Sequence, residues 1–232
     1  MTQKVEAWFA DQLTAAEPST QETVGLEALR IGLLSDGSIS AAAAKQLAGL
    51  TKMIVGAGGM VVVPENSGLL SSSAYNENLM IPPKVKPSLA YGEHAAHLGF
   101  HIIETPTEHW VETVTGLAAT GVELMFALVN HRPMQTHPLV PMLQAASEPT
   151  MQQSYANDLD LLLTGNPAGW IDQILERCKQ VIEHSYTSQL YQQGNVDVCI
   201  CQLKFRPCSH LKSSHPVKKN KAFSSHAFYF NN

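Results

Sequence analysis

Cysteine is scarce in this chain. There are four in 232 residues, and none precedes Cys178. Most of the sequence therefore has no disulfide framework and reads as a reduced, cytoplasmic domain. Long apolar runs are missing as well. Val122–Val129 is among the longest, and Glu123 interrupts it; a spanning helix needs roughly 18 consecutive apolar residues. The opening stretch, MTQKVEAWFADQL, has no basic region leading into an apolar run, so no secretory signal is expected. Basic residues are few before position 196: nine Lys and Arg stand against nineteen Asp and Glu, a balance of −10. That excess of acid argues against nucleic acid as a partner.

What remains is a hydrophobic content of 44% and a charged content of 15%. This excludes a wholly disordered chain. The length suits one α/β-type domain with short appendages.

Residues 1–25 read as a helix and linker. Val5, Trp8, Phe9 and Leu13 share one face of a helix over Val5–Ala16, and Glu17–Gln21 is a turn. From 26 to 195 strands and helices alternate. Leu29–Leu34 is a strand and Asp36-Gly37-Ser38 a turn. Ser38 or Ser40 caps a helix over Ala41–Leu50. Gly56–Gly59 breaks the chain before Met60–Val63, a uniformly apolar strand of the type buried on both faces. A helix is expected over Ser88–Leu98, a strand over Phe100–Ile103, and a helix over His109–Ala119 stopped at Gly121. Strands over Val122–Val129 and Leu139–Gln144 follow. Pro167–Ser185 is the clearest helix, capped by Asn166. The pattern predicts a three-layer, Rossmann-like α/β fold with a mostly parallel sheet flanked by helices.

Ligands of such folds bind at the carboxyl ends of the strands. That directs attention to three polar loops: Pro64-Glu65-Asn66-Ser67-Gly68, Glu104-Thr105-Pro106-Thr107-Glu108-His109, and Asn130-His131-Arg132 with His137-Pro138. Together they hold the groups a hydroxy-acid substrate needs: a cation for the carboxylate, a base for the adjacent proton and an acid for the departing hydroxyl. Each also has a plainer reading. Glu65 can end a strand in water. Thr107 and its acidic neighbours can begin a helix. His109 and Glu112 can be a solvated pair on one helical face, and His131 and His137 match no zinc spacing. Gly56–Gly59 precedes a strand, so it is a poor phosphate loop. Asp158 and Asp160 read as exposed loop acids.

The succession GGMVVVPENSGLLSSSAY (58–75), PSLAYGEHAAHLGFHIIETPTEHWVETVTGLAATGVELMFALVNHRP (87–133) and HPLVPMLQAAS (137–147) resembles the C-terminal region of the altronate/galactarate dehydratase family. The likeness runs in order over roughly residues 26–170. It rests on Gly58-Gly59 with Glu65, on Gly99–Pro106, on Thr115-Gly116, on Val122–Val129 and on Pro138–Pro141. The family's members are longer, with a small β-rich domain and a central region that have no counterpart here. The resemblance implies a hydro-lyase that removes water from a sugar acid to give a 2-keto-3-deoxy acid, with a divalent metal, iron or manganese. On that reading Glu104, His109 and Glu112 are the catalytic candidates. Glu65, Asn66, Thr105 and Arg132 would bind substrate, with Arg132 as the carboxylate clamp, and His131 and His137 would meet the metal. The alternative is a non-catalytic assembly domain, forming a homo-oligomer or supporting a separately encoded catalytic domain. Neither reading involves a membrane.

After Gly194 the character changes. Residues 196–232 hold six basic residues, one acid (Asp197) and three cysteines. Cys199, Cys201, Cys208, His210 and His215 have no common metal-finger spacing. The abrupt switch predicts a disordered tail outside the ancestral domain, as a shifted frame or retained intron would produce.

Overall fold

The computed structural model describes residues 25–82 and 85–198. The expected N-terminal helix and the cysteine-rich tail lie outside them.

After a single 3-10 turn at Leu26–Ala28, the chain forms β1 (Arg30–Ser35), α1 (Ala41–Gly56), β2 (Met60–Pro64), α2 (Ser73–Leu79) and β3 (Gly99–Ile103). Then follow α3 (Trp110–Ala119), β4 (Leu124–Leu128), β5 (Met142–Ala146), α4 (Pro149–Tyr155), β6 (Leu161–Leu162), α5 (Trp170–Ile182) and α6 (Gln189–Gln192). All six strands are parallel and lie in the order β3-β2-β1-β4-β5-β6. β2, β4 and β5 are buried at every position, as strands covered on both faces must be.

Alternate side chains pack to opposite sides. Ile31, Leu33, Val61, Val63, Leu124, Phe126, Leu128 and Leu143 meet α1, α2 and α5 through Leu47, Ile54, Tyr75, Ile174 and Cys178. Met60, Val62, Met125, Ala127, Met142 and Ala146 meet α3 and α4 through Val114, Leu117 and Met151. The result is the three-layer α/β arrangement that the alternating pattern predicts.

Local signals account for most of the boundaries. Ser40 caps α1 by accepting the Ala43 N–H, and the Asn166 side chain accepts the Ala168 N–H at the 3-10 turn leading into α5. Gly121 takes a φ of 93° just beyond α3.

The helix expected over Ser88–Leu98 does not form. β3 is an edge strand, and its unpaired backbone groups recruit this segment instead. Ser88 N–H donates to Ile102 O and Glu104 N–H donates to Leu89 O, so Leu89 bridges Ile103 in parallel. Three short helices, α2, α4 and α6, and the two-residue β6 were not predicted. The strand expected over Leu139–Gln144 starts three residues later, at Met142. At the far end Thr136 N–H donates to Asn195 O and Asp197 N–H to Thr136 O. These bonds form one isolated parallel bridge between Thr136 and Val196, just past residue 195.

Among the described residues no helix is long and apolar enough to cross a membrane.

Candidate functional site

The chain builds outward from β1 to β3, then returns and builds outward on the other side from β4 to β6. The reversal falls between β1 and β4, which are hydrogen-bonded neighbours. Connections leave neighbouring strand tips in opposite directions at such a point, and this opens a crevice at the carboxyl ends.

A carboxylate ties the two tips together. Asp36, one residue past β1, accepts from Asn130 N–H at 2.8 Å and from Asn130 Nδ2 at 3.0 Å through Oδ1. Its Oδ2 accepts from His131 N–H at 3.3 Å. Asn130 Nδ2 also reaches Ser35 Oγ at 3.1 Å. The loop after β2 closes against the same tip. Ser67 Oγ accepts from Ser35 N–H and Leu69 N–H, and Gly68 passes so near that a Cβ there would lie 1.7 Å from Gly37 O.

The next tie joins β2 to the start of α3. Asn66 Nδ2 donates to Thr107 O and to Thr113 Oγ1, at 3.0 and 2.9 Å. Thr107 organises the helix start: its hydroxyl accepts from His109 N–H and donates to the Glu112 carboxylate. A carboxylate in the first turn of a helix is favoured by the backbone dipoles there. Trp110 is fixed by its indole N–H, which donates to Gln135 O at 2.8 Å.

These ties enclose a cavity of about 120 Å³ lined by Leu34, Ser35, Asp36, Asn66, Ser67, Glu108, Trp110, Thr113 and Met134. It draws on β1, on the loop after β2, on the start of α3 and on the loop after β4. Segments after β2, β3 and β4 thus meet the tip of β1 here, although from the third only Met134 lines the cavity and none of Asn130, His131, Arg132, His137 or Pro138 does. A groove of about 350 Å³ lies elsewhere, between Gly25–Leu29 and one face of α5. It is larger and more apolar, but it borders residues that precede β1 and is remote from the strand tips.

Of the residues named from the sequence, Asn66 borders the crevice. Glu65 and Glu104 are exposed, and their backbone N–H groups continue the sheet pairing to Ile103 O and Leu89 O. Thr105 is half-buried. His109 is the exposed N-cap residue of α3, and Glu112 is engaged by Thr107. His131 and Arg132 are exposed on the loop after β4. His137 is buried, 4% exposed, and its Nδ1 accepts from both Leu139 N–H and Val140 N–H at 3.2 Å. Burial holds its pKa below the usual imidazole value. With Nδ1 occupied, His137 fits the role of a turn-forming residue and fits a metal poorly. Among the described residues no three His, Cys, Asp or Glu side chains gather as a metal site.

Sequence reasoning missed Ser35, Asp36, Trp110 and Thr113 as cavity residues, and gave no role to Ser67 and Glu108 within the loops it singled out. The usable signal was topological: the tip of the first strand of a doubly wound sheet borders the switch point. Asp36-Gly37 reads as a turn when taken alone. A dinucleotide-binding fold would present glycines and free N–H groups at this tip; here a carboxylate stands there.

Asp160, read from the sequence as an exposed loop acid, is buried. It accepts from Gln144 N–H at 2.7 Å, Tyr186 OH at 2.8 Å and Gln189 N–H at 2.9 Å. Burial raises its pKa, and these hydrogen bonds oppose the shift.

No protein-family model matches the chain, and no curated protein matches it.

Proposed function

We propose that this chain is a hydro-lyase domain of the sugar-acid dehydratase type, binding its substrate at the β1–β4 crevice and working in the cytoplasm. The observation that carries the reading is the convergence of four strand-end segments on one cavity lined by carboxylates, hydroxyls and an amide. The order of segments that resembles the C-terminal region of altronate/galactarate dehydratases supports it. So does the free, buried thiol of Cys178, which suits a reducing compartment.

The reaction is loss of water across two carbons. A base takes the proton next to the carboxylate, the neighbouring C–O bond breaks, and the hydroxide leaves as water after gaining a proton. The enol that remains becomes the 2-keto acid. Glu108 is the better base candidate than Glu104, because it borders the cavity while exposed at its rim. His109, the exposed residue next to Glu108, is the candidate to supply the proton. Arg132, exposed on the loop that carries Met134, is the carboxylate clamp. The metal that the family resemblance implies would supply Lewis acidity. Among the described residues no three His, Cys, Asp or Glu side chains assemble a place for it.

The test is direct. The full chain is incubated with Fe²⁺ or Mn²⁺ and a panel of aldaric and aldonic acids, and 2-keto acid is measured. Product is expected, with Glu108→Gln lowering the rate about 100-fold or more, as loss of a general base does. Absence of product from every acid contradicts the reading.

One observation favours the assembly-domain alternative. The cavity, about 120 Å³, is smaller than the roughly 300–1,000 Å³ usual for small-molecule sites. A partner domain or a second copy would then complete the wall. If the folded chain binds no sugar acid at millimolar concentration, that alternative is the better one.

A further inference from the structure

The geometry points to which end of the substrate enters: the cavity takes the polyol arm of the sugar acid, and the carboxylate stays outside, on the side of the loop after β4. This rests on the sugar-acid reading above and deepens it.

Charge comes first. The lining includes two carboxylates, Asp36 and Glu108, and no Lys, Arg or His. A carboxylate pushed inside would meet like charge with no counter-ion, an arrangement that rejects a ligand. The N-terminus of α3 does not reverse this. Its positive end is already met by the chain's own Glu112 in the first turn and by Glu108 just ahead of it.

Hydrogen-bond capacity comes second. The cavity is rich in acceptors. Asp36 Oδ2 takes one long bond, from His131 N–H, and a carboxylate oxygen can accept two. Asn66 lines the cavity and spends its amide nitrogen on Thr107 O and Thr113 Oγ1, which leaves only its amide oxygen, an acceptor, for a ligand. Ser67 Oγ accepts two backbone N–H groups, and its own hydrogen is left to donate. Sugar hydroxyls both give and receive, and they match this set. A carboxylate only receives.

Size and shape come third. At about 120 Å³ the cavity is below the roughly 300–1,000 Å³ usual for small-molecule sites. That suits part of a sugar acid, a short hydroxylated arm, better than the whole molecule. Trp110, locked by its bond to Gln135 O, offers an indole wall to the carbon-bound hydrogens of that arm. The reacting carbons then sit at the rim, where Glu108 is exposed, and the carboxylate points out to solvent on the side of the loop after β4 that brings Met134 to the cavity.

Saturation-transfer NMR on the full chain tests this with three probes: gluconate, xylitol (hydroxyls without a carboxylate) and adipate (carboxylates without hydroxyls). Transfer to gluconate is expected to be strongest at the hydrogens on carbons 5 and 6. Xylitol is expected to show transfer and adipate none. Trp110→Ala should remove at least two thirds of the gluconate signal with the far-ultraviolet circular dichroism unchanged. Glu108→Gln, at the exposed rim, should let adipate give a signal, and this second variant serves if the first does not fold. Strongest transfer at carbon 2, with adipate bound and xylitol not, overturns the orientation and leaves the sugar-acid reading standing. No transfer to gluconate overturns both.

Discussion

Asp36 is a half-buried carboxylate whose partners lie 94 and 95 positions away in sequence. It joins the tips of the two strands between which the sheet reverses direction. Asp36→Ala leaves three N–H donors without their acceptor. Each unsatisfied buried donor costs on the order of 1 kcal/mol or more, and these are only partly buried, so a loss of about 2 kcal/mol is expected in urea unfolding. Nothing local marks this role, because the partner positions are set by the pairing of β1 with β4. His137 shows the same limit. The family resemblance made it a ligand candidate although its spacing from His131 matched no zinc pattern, and the fold buries it and aims two backbone N–H groups at its Nδ1. Its folded pKa is lowered by burial, so the unfolded chain takes up the proton first. Stability from this group is present above about pH 6.5, the unfolded value, and is lost as pH falls through the folded one. Unfolding free energies measured from pH 7.5 to 5 should decline in the wild type and decline less in His137→Asn.

Helices and strands with strong periodicity were legible: α1, α3 and α5, and the apolar strands β1, β2 and β4. Their caps and apolar faces lie within short stretches of sequence. The failures have two causes. Ser88–Leu98 has the composition of a helix, but an open sheet edge offered its backbone a better partner. α2 and α4 are seven residues each, too short for a period to emerge. Two predictions belong at this scale. Gly68→Ala would force a Cβ against Gly37 O, and the loop after β2 would have to part from β1. Such overpacking costs about 1–3 kcal/mol, readable as a lowered melting midpoint. Asp160→Ala would cut the tie between β5, Tyr186 and the start of α6. A loss of about 3 kcal/mol is expected from leaving buried donors unpaired, with faster amide exchange across 186–197. Unchanged exchange there would show that α6 is held by other contacts.

At the scale of the whole molecule, parallel strands in the order 3-2-1-4-5-6 put every strand tip on one edge of the sheet. Alternation of elements foretold the layers. It did not foretell the strand order, and the order decides which tips are neighbours. This is why the loops after β2, β3 and β4 could be picked out while the tip of β1 was passed over. It is also why Glu108 and Trp110 replace Glu104 at the cavity: the direction in which side chains leave a turn depends on the tertiary ties of Asn66 and Thr107, not on residue type.

The central claim is that this crevice is where the ligand binds. Backbone amide shifts of the full chain, followed during titration with gluconate, test it most directly. The account expects the shifts to cluster at residues 35–37, 66–68, 108–113 and 130–134. Shifts gathered instead along Gly25–Leu29 and α5, or none up to saturating gluconate, would contradict it.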